Sequence, residues 1–123
     1  MTGVPVLVVD DEPALRKFLQ IYLERVGYSV STAETAEQAL ETFSLDTAAF
    51  RIIIADLSLP GMQGDEMARQ MVSINPELRV LLCSGYPYAV ESFPELIRDK
   101  FAVLQKPFLP NELAGALTEL LKR

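Results

Sequence analysis

The 123-residue sequence predicts an α/β fold, a five-stranded doubly wound parallel sheet in one domain spanning residues 1–123. Two observations support this. Short apolar runs such as Ile52 to Ala55 are unbroken rather than alternating, as expected of strands buried on both faces of a sheet. A stretch with helical character follows each strand, and strands alternating with helices imply right-handed crossovers in a parallel sheet covered on both sides. No repeat, linker or low-complexity tract interrupts the pattern.

The first run, Val6 to Val9, leads directly into Asp10, Asp11 and Glu12. Pro13 then marks a helix start, with a side-chain cap from the acids before it and a proline in the first turn. Leu15, Phe18, Leu19, Tyr22 and Val26 recur at helical spacing, and Gly27 stands where a C-cap is expected. Ser29 to Ala33 is the second strand. Thr35 to Gln38 matches a capping box, and Ala36, Ala39, Leu40 and Phe43 give the following helix one apolar stripe.

The third strand, Ile52 to Ala55, runs into Asp56, and Pro60, Gly61 and Gly64 turn the chain just beyond it. Asp65 to Ile74 reads as a helix through Met67, Ala68, Met71 and Val72, stopped by Asn75 and Pro76. Val80 to Cys83 is the fourth strand, ending at Ser84 and Gly85. Between Pro87 and Lys100 the residues Ala89, Val90, Phe93, Leu96 and Ile97 suggest a helix, but Pro94 removes an amide hydrogen from its middle. A short, irregular or mobile helix is expected there. Phe101 to Leu104 is the fifth strand, followed by Gln105, Lys106 and Pro107. Pro110 opens a last helix with Leu113, Ala116, Leu117, Leu120 and Leu121 on its buried side.

Half the residues are apolar and the net charge is −6, so direct binding to nucleic acid is disfavoured. A metal cation or a basic protein face suits the charge better. The single cysteine, Cys83, cannot form an internal disulfide and lies in an apolar run, which reads as a core residue in a reducing compartment. No apolar stretch is long enough to span a membrane, and no signal peptide opens the chain. The expectation is a cytoplasmic protein, or the cytoplasmic end of something longer.

Chemistry is concentrated just after the strands: Asp10 and Asp11 after the first, Asp56 after the third, Ser84 after the fourth and Lys106 after the fifth. In a doubly wound sheet these ends share one edge, where open α/β sheets bind ligands. Three ionised carboxylates at such an edge repel one another by roughly 1 to 4 kcal/mol per pair. A cluster of this kind raises a pKa or recruits a cation. With oxygen ligands and no histidine in the chain, Mg²⁺ or Mn²⁺ fits and zinc does not. Taken singly, each residue has an ordinary structural explanation: Asp11 as a helix cap, Ser84 as a turn residue, Lys106 as a solvated lysine.

The segments VLVVDDEP at Val6 to Pro13, DLSLPGMQG at Asp56 to Gly64, CSGYP at Cys83 to Pro87 and QKPF at Gln105 to Phe108 occur in this order along the chain. In identity, order and spacing the chain resembles, from end to end, the receiver domain of two-component response regulators. Its SGY and LQKPF segments are similar to those of receivers attached to hybrid sensor kinases. The resemblance implies a flavodoxin-like (βα)₅ fold. It implies that Asp56 is the phosphoacceptor, attacking a phosphohistidine on a sensor histidine kinase or histidine phosphotransfer domain. It further implies that Mg²⁺ is held by Asp10, Asp11, Asp56 and the main-chain carbonyl of Ser58. Lys106 would pair with Asp56 and then with a phosphoryl oxygen, Ser84 would donate its hydroxyl to that group, and the Lys106–Pro107 peptide would be cis. The chain would be a monomer or a weak homodimer through the face formed by the fourth helix, fifth strand and fifth helix.

One position departs from the family. Receivers usually carry Tyr or Phe on the fifth strand three residues before the lysine, and here that residue is Val103. Phe101, two residues earlier, points to the same face of a strand. With Pro94 in the fourth helix, this implies intact phosphorylation and an altered relay to partners. Two other classes compete. A Mg²⁺ phosphatase of the haloacid dehalogenase type also uses an aspartyl nucleophile after a strand, but it normally needs a second Asp where this chain has Ser58. A fold-only interaction module would have no use for the intact Asp10, Asp11, Asp56, Ser84 and Lys106 set. A flavin-binding reading lacks a phosphate-cradling loop after the first strand, where acids would repel the cofactor.

Overall fold

A computed structural model of the chain describes residues 3–123. Strands β1 (Val4–Val9), β2 (Tyr28–Ala33), β3 (Ile52–Asp56), β4 (Arg79–Ser84) and β5 (Phe101–Gln105) alternate with helices α1 (Pro13–Arg25), α2 (Ala36–Leu45), α3 (Gly64–Ile74), α4 (Glu95–Arg98) and α5 (Pro110–Leu121). The strands form one sheet in the order β2-β1-β3-β4-β5, and every neighbouring pair is parallel. The expected five-stranded, doubly wound sheet is therefore observed, with the strand order of the flavodoxin-like fold.

Residue parity along the central strands sends side chains to two separate cores. On one face Leu7, Val9, Ile53 and Leu82 pack against Phe43 of α2 and Met67 and Met71 of α3. On the other, Val8, Ile54 and Leu81 meet Leu19 and Leu23 of α1 and Leu113, Leu117 and Leu120 of α5. β3 is buried on both faces from Ile52 to Ala55, which accounts for its unbroken apolar run. The edge strand β2 is buried only in part, so its Tyr28–Ala33 sequence is more polar.

The helix ends show where local sequence decides and where context takes over. Thr35 Oγ1 accepts from the Gln38 amide at 3.0 Å as a capping box requires. The reciprocal bond is shifted by one residue, because the Gln38 side chain accepts from the Glu34 amide rather than from Thr35. Gly27 follows α1 with φ of 106°, a conformation that favours glycine. The side-chain cap expected from Asp11 or Glu12 is not formed: Glu12 is the N-cap and makes no such bond. The carboxylate of Asp10 supplies the contact instead, with Oδ1 accepting from the Glu12 amide at 2.8 Å.

The segment before β5 is short and irregular, as Pro94 implied. A 3₁₀ turn at Val90–Ser92 stops ahead of the proline, and Pro94 itself caps the four-residue α4. Phe101 and Val103 do share one face of β5, both on the core side that holds α2 and α3. Phe101 packs edge-on against Phe93, with centroids 4.5 Å apart, while Val103 is half-buried beside them. Among the described residues no helix is long and apolar enough to cross a membrane.

Candidate functional site

Parallel pairing brings the carboxyl ends of β1, β3, β4 and β5 to one edge. Val9 lies beside Ala55, Asp56 beside Cys83, and Ser84 beside Gln105. The next residues on the outer strands of this set, Asp10 and Lys106, therefore emerge level with Asp56. Asp10, Asp11 and Asp56 each offer a carboxylate oxygen within 4.8 Å of the others. Lys106 Nζ lies 3.4 Å from Asp56 Oδ2 and 3.7 Å from Asp10 Oδ2. Asp11 is exposed, Asp56 half-buried, and Asp10 only 2% exposed. The Lys106–Pro107 peptide is cis.

Local bonds hold these groups in place. The Asp10 main-chain carbonyl accepts from Arg16 Nη1 at 2.7 Å, which ties the β1–α1 loop to the first turns of α1. Asp56 Oδ1 accepts from the Ser58 amide at 3.2 Å, closing an Asx turn at the end of β3. Leu57 donates its amide to the Cys83 carbonyl at 2.8 Å, and Gly64 donates to the Leu57 carbonyl at 3.0 Å. α3 consequently starts directly on the backbone of the phosphoacceptor candidate. A β-carbon at Gly64 would fall 2.2 Å from the Asp56 carbonyl oxygen, so glycine is required there by close approach.

Electrostatics follow from this crowding. Burial pushes the Asp10 carboxyl above the ordinary carboxylate value, the Glu12 amide and Lys106 pull it back, and Asp56 and Asp11 add to the rise. Burial alone would lower the Lys106 ammonium. The carboxylates of Asp56 and Asp10 outweigh that burial and hold its pKa above the ordinary lysine value. Three carboxylates facing one ammonium are an all-oxygen donor set with surplus negative charge, which fits a hard divalent cation such as Mg²⁺.

Two residues of the expected set stand differently from the acids and the lysine. Ser58 is exposed and next to the cluster, with its amide already bound to Asp56. Ser84 is fully buried, and its hydroxyl is turned into its own loop. It donates to the Tyr86 carbonyl and accepts from the Tyr86 amide at 3.1 Å. Arg16 and the close approach at Gly64 have no signal in the sequence beyond a helix-face arginine and a turn glycine.

A model of the response regulator receiver domain family matches residues 6–118. The chain is 35% identical over 117 residues to the C4-dicarboxylate transport transcriptional regulatory protein DctD of Rhizobium meliloti, spanning 92% of this chain and 24% of that protein. It is 31% identical over 117 residues to the response regulator receiver protein CpdR of Brucella abortus, spanning 94% of this chain and 95% of that one. The crystal structure of the response regulator protein TrrA from Thermotoga maritima, in complex with Mg(2+)-BeF, matches with a TM-score of 0.78 and 29% identity. That match covers 98% of this chain and 99% of the other. A family match over nearly the whole length, on a sheet edge that gathers acids around a lysine, leads to one conclusion: the chain belongs to the response regulator receiver domains, the phosphoacceptor switches of two-component signalling.

Proposed function

We propose that Asp56 is the residue that accepts the phosphoryl group, from a phosphohistidine of a sensor histidine kinase or histidine phosphotransfer domain. The observation that carries this reading is the Lys106 ammonium 3.4 Å from Asp56, beside two further carboxylates within 4.8 Å. A carboxylate oxygen of Asp56 attacks phosphorus, the new O–P bond forms as the P–N bond to histidine breaks, and the imidazole leaves neutral once it takes a proton. Asp10, Asp11, Asp56 and the Ser58 carbonyl would hold Mg²⁺. That ion supplies charge neutralisation at the transferring oxygens.

The remaining steps belong to the chain itself. Lys106 orients Asp56 at rest, then follows the charge onto a phosphoryl oxygen. Ser84 exchanges its bond to the Tyr86 carbonyl for one to that phosphoryl group. A groove of about 420 Å³ lined by Leu15, Phe18, Pro107 and Phe108 opens beside Lys106, which supports approach of an apolar partner surface to the site. TrrA, which shares this fold, was solved with Mg(2+)-BeF, and the all-oxygen cluster of Asp10, Asp11 and Asp56 supports a divalent ion here.

Intact mass spectrometry tests the reading. Incubation with Mg²⁺ and acetyl phosphate should add one phosphoryl group, chelation of the metal should prevent it, and Asp56→Asn should abolish it. A phosphoryl group retained in Asp56→Asn, located elsewhere by peptide mapping, would overturn the assignment. Steady phosphate release from varied phosphoesters would favour the phosphatase alternative, although position 58 holds serine where that chemistry needs an acid.

A further inference from the structure

Two loops leave the Asp56 pocket, one after β3 and one after β4, and a side-chain contact ties the start of α3, where the first loop ends, to the second. Tyr88 donates its hydroxyl to Asp65 Oδ2 at 2.9 Å, across 23 residues of sequence. The same carboxylate oxygen faces Arg69 Nη2 at 3.7 Å, and the Arg69 guanidinium lies over the Phe93 ring, 5.3 Å from its centroid. Phe93 is buried and edge-on to Tyr88 at 5.9 Å. Asp65 follows Gly64, whose close approach to the Asp56 carbonyl fixes this end of the contact to the phosphoacceptor backbone. At the near end of the other loop, the Ser84 hydroxyl is held by Tyr86. The segment 84–88 is thus fastened at both ends.

We propose that Tyr88 and Asp65 are positioning residues that hold the 84–88 loop in its resting arrangement and oppose the movement of Ser84 towards a phosphoryl group. This rests on the reading of Asp56 as phosphoacceptor and Ser84 as its hydroxyl donor. The Ser84 hydroxyl has one proton to donate, so it must leave the Tyr86 carbonyl to reach an oxygen on Asp56. The loop then shifts at its near end, and the Tyr88–Asp65 bond resists that shift at its far end. Removing the bond lowers the free energy of the engaged arrangement relative to the resting one, and a ligand that favours the engaged arrangement binds more tightly.

The test uses the whole chain, with Mg²⁺ alone and with beryllium fluoride as the phosphoryl mimic, followed by calorimetry and ¹⁹F NMR. Tyr88→Phe keeps the ring against Phe93 and removes the hydroxyl. It should leave Mg²⁺ affinity unchanged and tighten beryllium fluoride binding by roughly three- to tenfold, the loss of about one net hydrogen bond. Asp65→Ala should give the same gain, and the double variant no more than either alone, because one bond is shared. A merely structural role predicts equal or weaker binding of the mimic in Tyr88→Phe, and that result overturns the proposal. If the unaltered chain takes up no beryllium fluoride with Mg²⁺ present, the switch reading itself fails. Uptake by the unaltered chain with no gain in Tyr88→Phe removes the positioning role alone.

Discussion

Replacing Gly64 by alanine perturbs the support under the site by a single methyl group. The added carbon would lie 2.2 Å from the Asp56 carbonyl oxygen, 3.0 Å from its carbonyl carbon and 3.3 Å from Leu57 Cα. Atoms in comfortable contact stay about 3.5 Å apart, so the overlap with the oxygen exceeds an ångström. All three neighbours are main chain and cannot rotate away. Either α3 withdraws or the end of β3 bends. Withdrawal stretches the 3.0 Å bond from Gly64 to Leu57 and strains the 2.8 Å bond from Leu57 to Cys83. Overpacking together with one weakened hydrogen bond costs about 2–4 kcal/mol. With a urea m-value of roughly 2 kcal/mol/M, the unfolding midpoint falls by about 1–2 M. Mg²⁺ affinity should fall as well, because Asp56 moves with its backbone. Gly115→Ala is the control: it lies in α5 with open space around it, and alanine there should stabilise by about 0.5–1 kcal/mol through helix propensity. The same substitution thus has opposite signs at two sites. A Gly64→Ala midpoint equal to that of the unaltered chain, with unchanged Mg²⁺ binding, would refute the close-approach argument.

Asp10→Asn should raise the stability of the metal-free protein at pH 7, with the Asn side-chain oxygen still able to accept from the Glu12 amide. Folding raises the Asp10 pKa, so the benefit of protonating it is complete below the ordinary value of 3.8 and is lost as pH rises through the folded value. The gain from Asn should therefore be largest at neutral pH and shrink towards pH 4, read as unfolding midpoints across that range; a gain independent of pH would contradict it. Phe93→Ala removes a buried ring that touches Tyr88, Phe101 and Arg69, and should lower stability by about 3–4 kcal/mol. Leu96→Ala, at a residue 90% exposed, should stay within about 0.5 kcal/mol by the same urea titration. Burial pushes the Cys83 thiol up to about 12, so iodoacetamide at pH 8 should leave it unmodified in the folded chain and alkylate it rapidly in urea, followed by intact mass.

The fold was legible because four of the five strands are punctuated by their own chemistry. β3 announces itself by four apolar residues ending at Asp56, and β5 by Lys106 and Pro107 just past its end. Once the sheet is parallel, the convergence of Asp10, Asp11, Asp56 and Lys106 follows from topology. Strand starts were less visible: β1 begins at Val4 and β4 at Arg79, because ladder pairing continues back through Pro5 to Val4 and past Val80 to Arg79. The missing cap at α1 has a related cause. Asp11 points to the site side of the loop, and the buried Asp10 takes over the bond to the Glu12 amide. Ser84 was placed correctly at its strand end, but the direction of its hydroxyl depends on the Tyr86 turn, which no residue pattern encodes. The Tyr88–Asp65 bond joins residues 23 positions apart, one in the loop after β4 and one in the first turn of α3, and only tertiary folding brings them together.

The charge balance of the site explains why such an arrangement can switch. Three carboxylates against the single Lys106 ammonium leave a formal surplus of two negative charges in a half-buried pocket. A divalent cation would cancel that surplus, and in the proposed reading metal-bound Asp56 would then be electrostatically satisfied with the loops at rest. On the assignment proposed above, a phosphoryl group on Asp56 would replace one carboxylate charge by about 1.5–2 negative charges and add three strong acceptor oxygens. The pocket is then short of donors, and the unmatched demand falls on the nearest group able to supply one. Ser84 is buried beside the pocket and holds a donor committed only to a carbonyl of its own loop. Drawing that donor away would, in the proposed mechanism, convert a local change of charge into a displacement of residues 84–88. The aromatic contacts of Phe93 with Phe101 and Tyr88 join that loop to β5, even with valine at position 103.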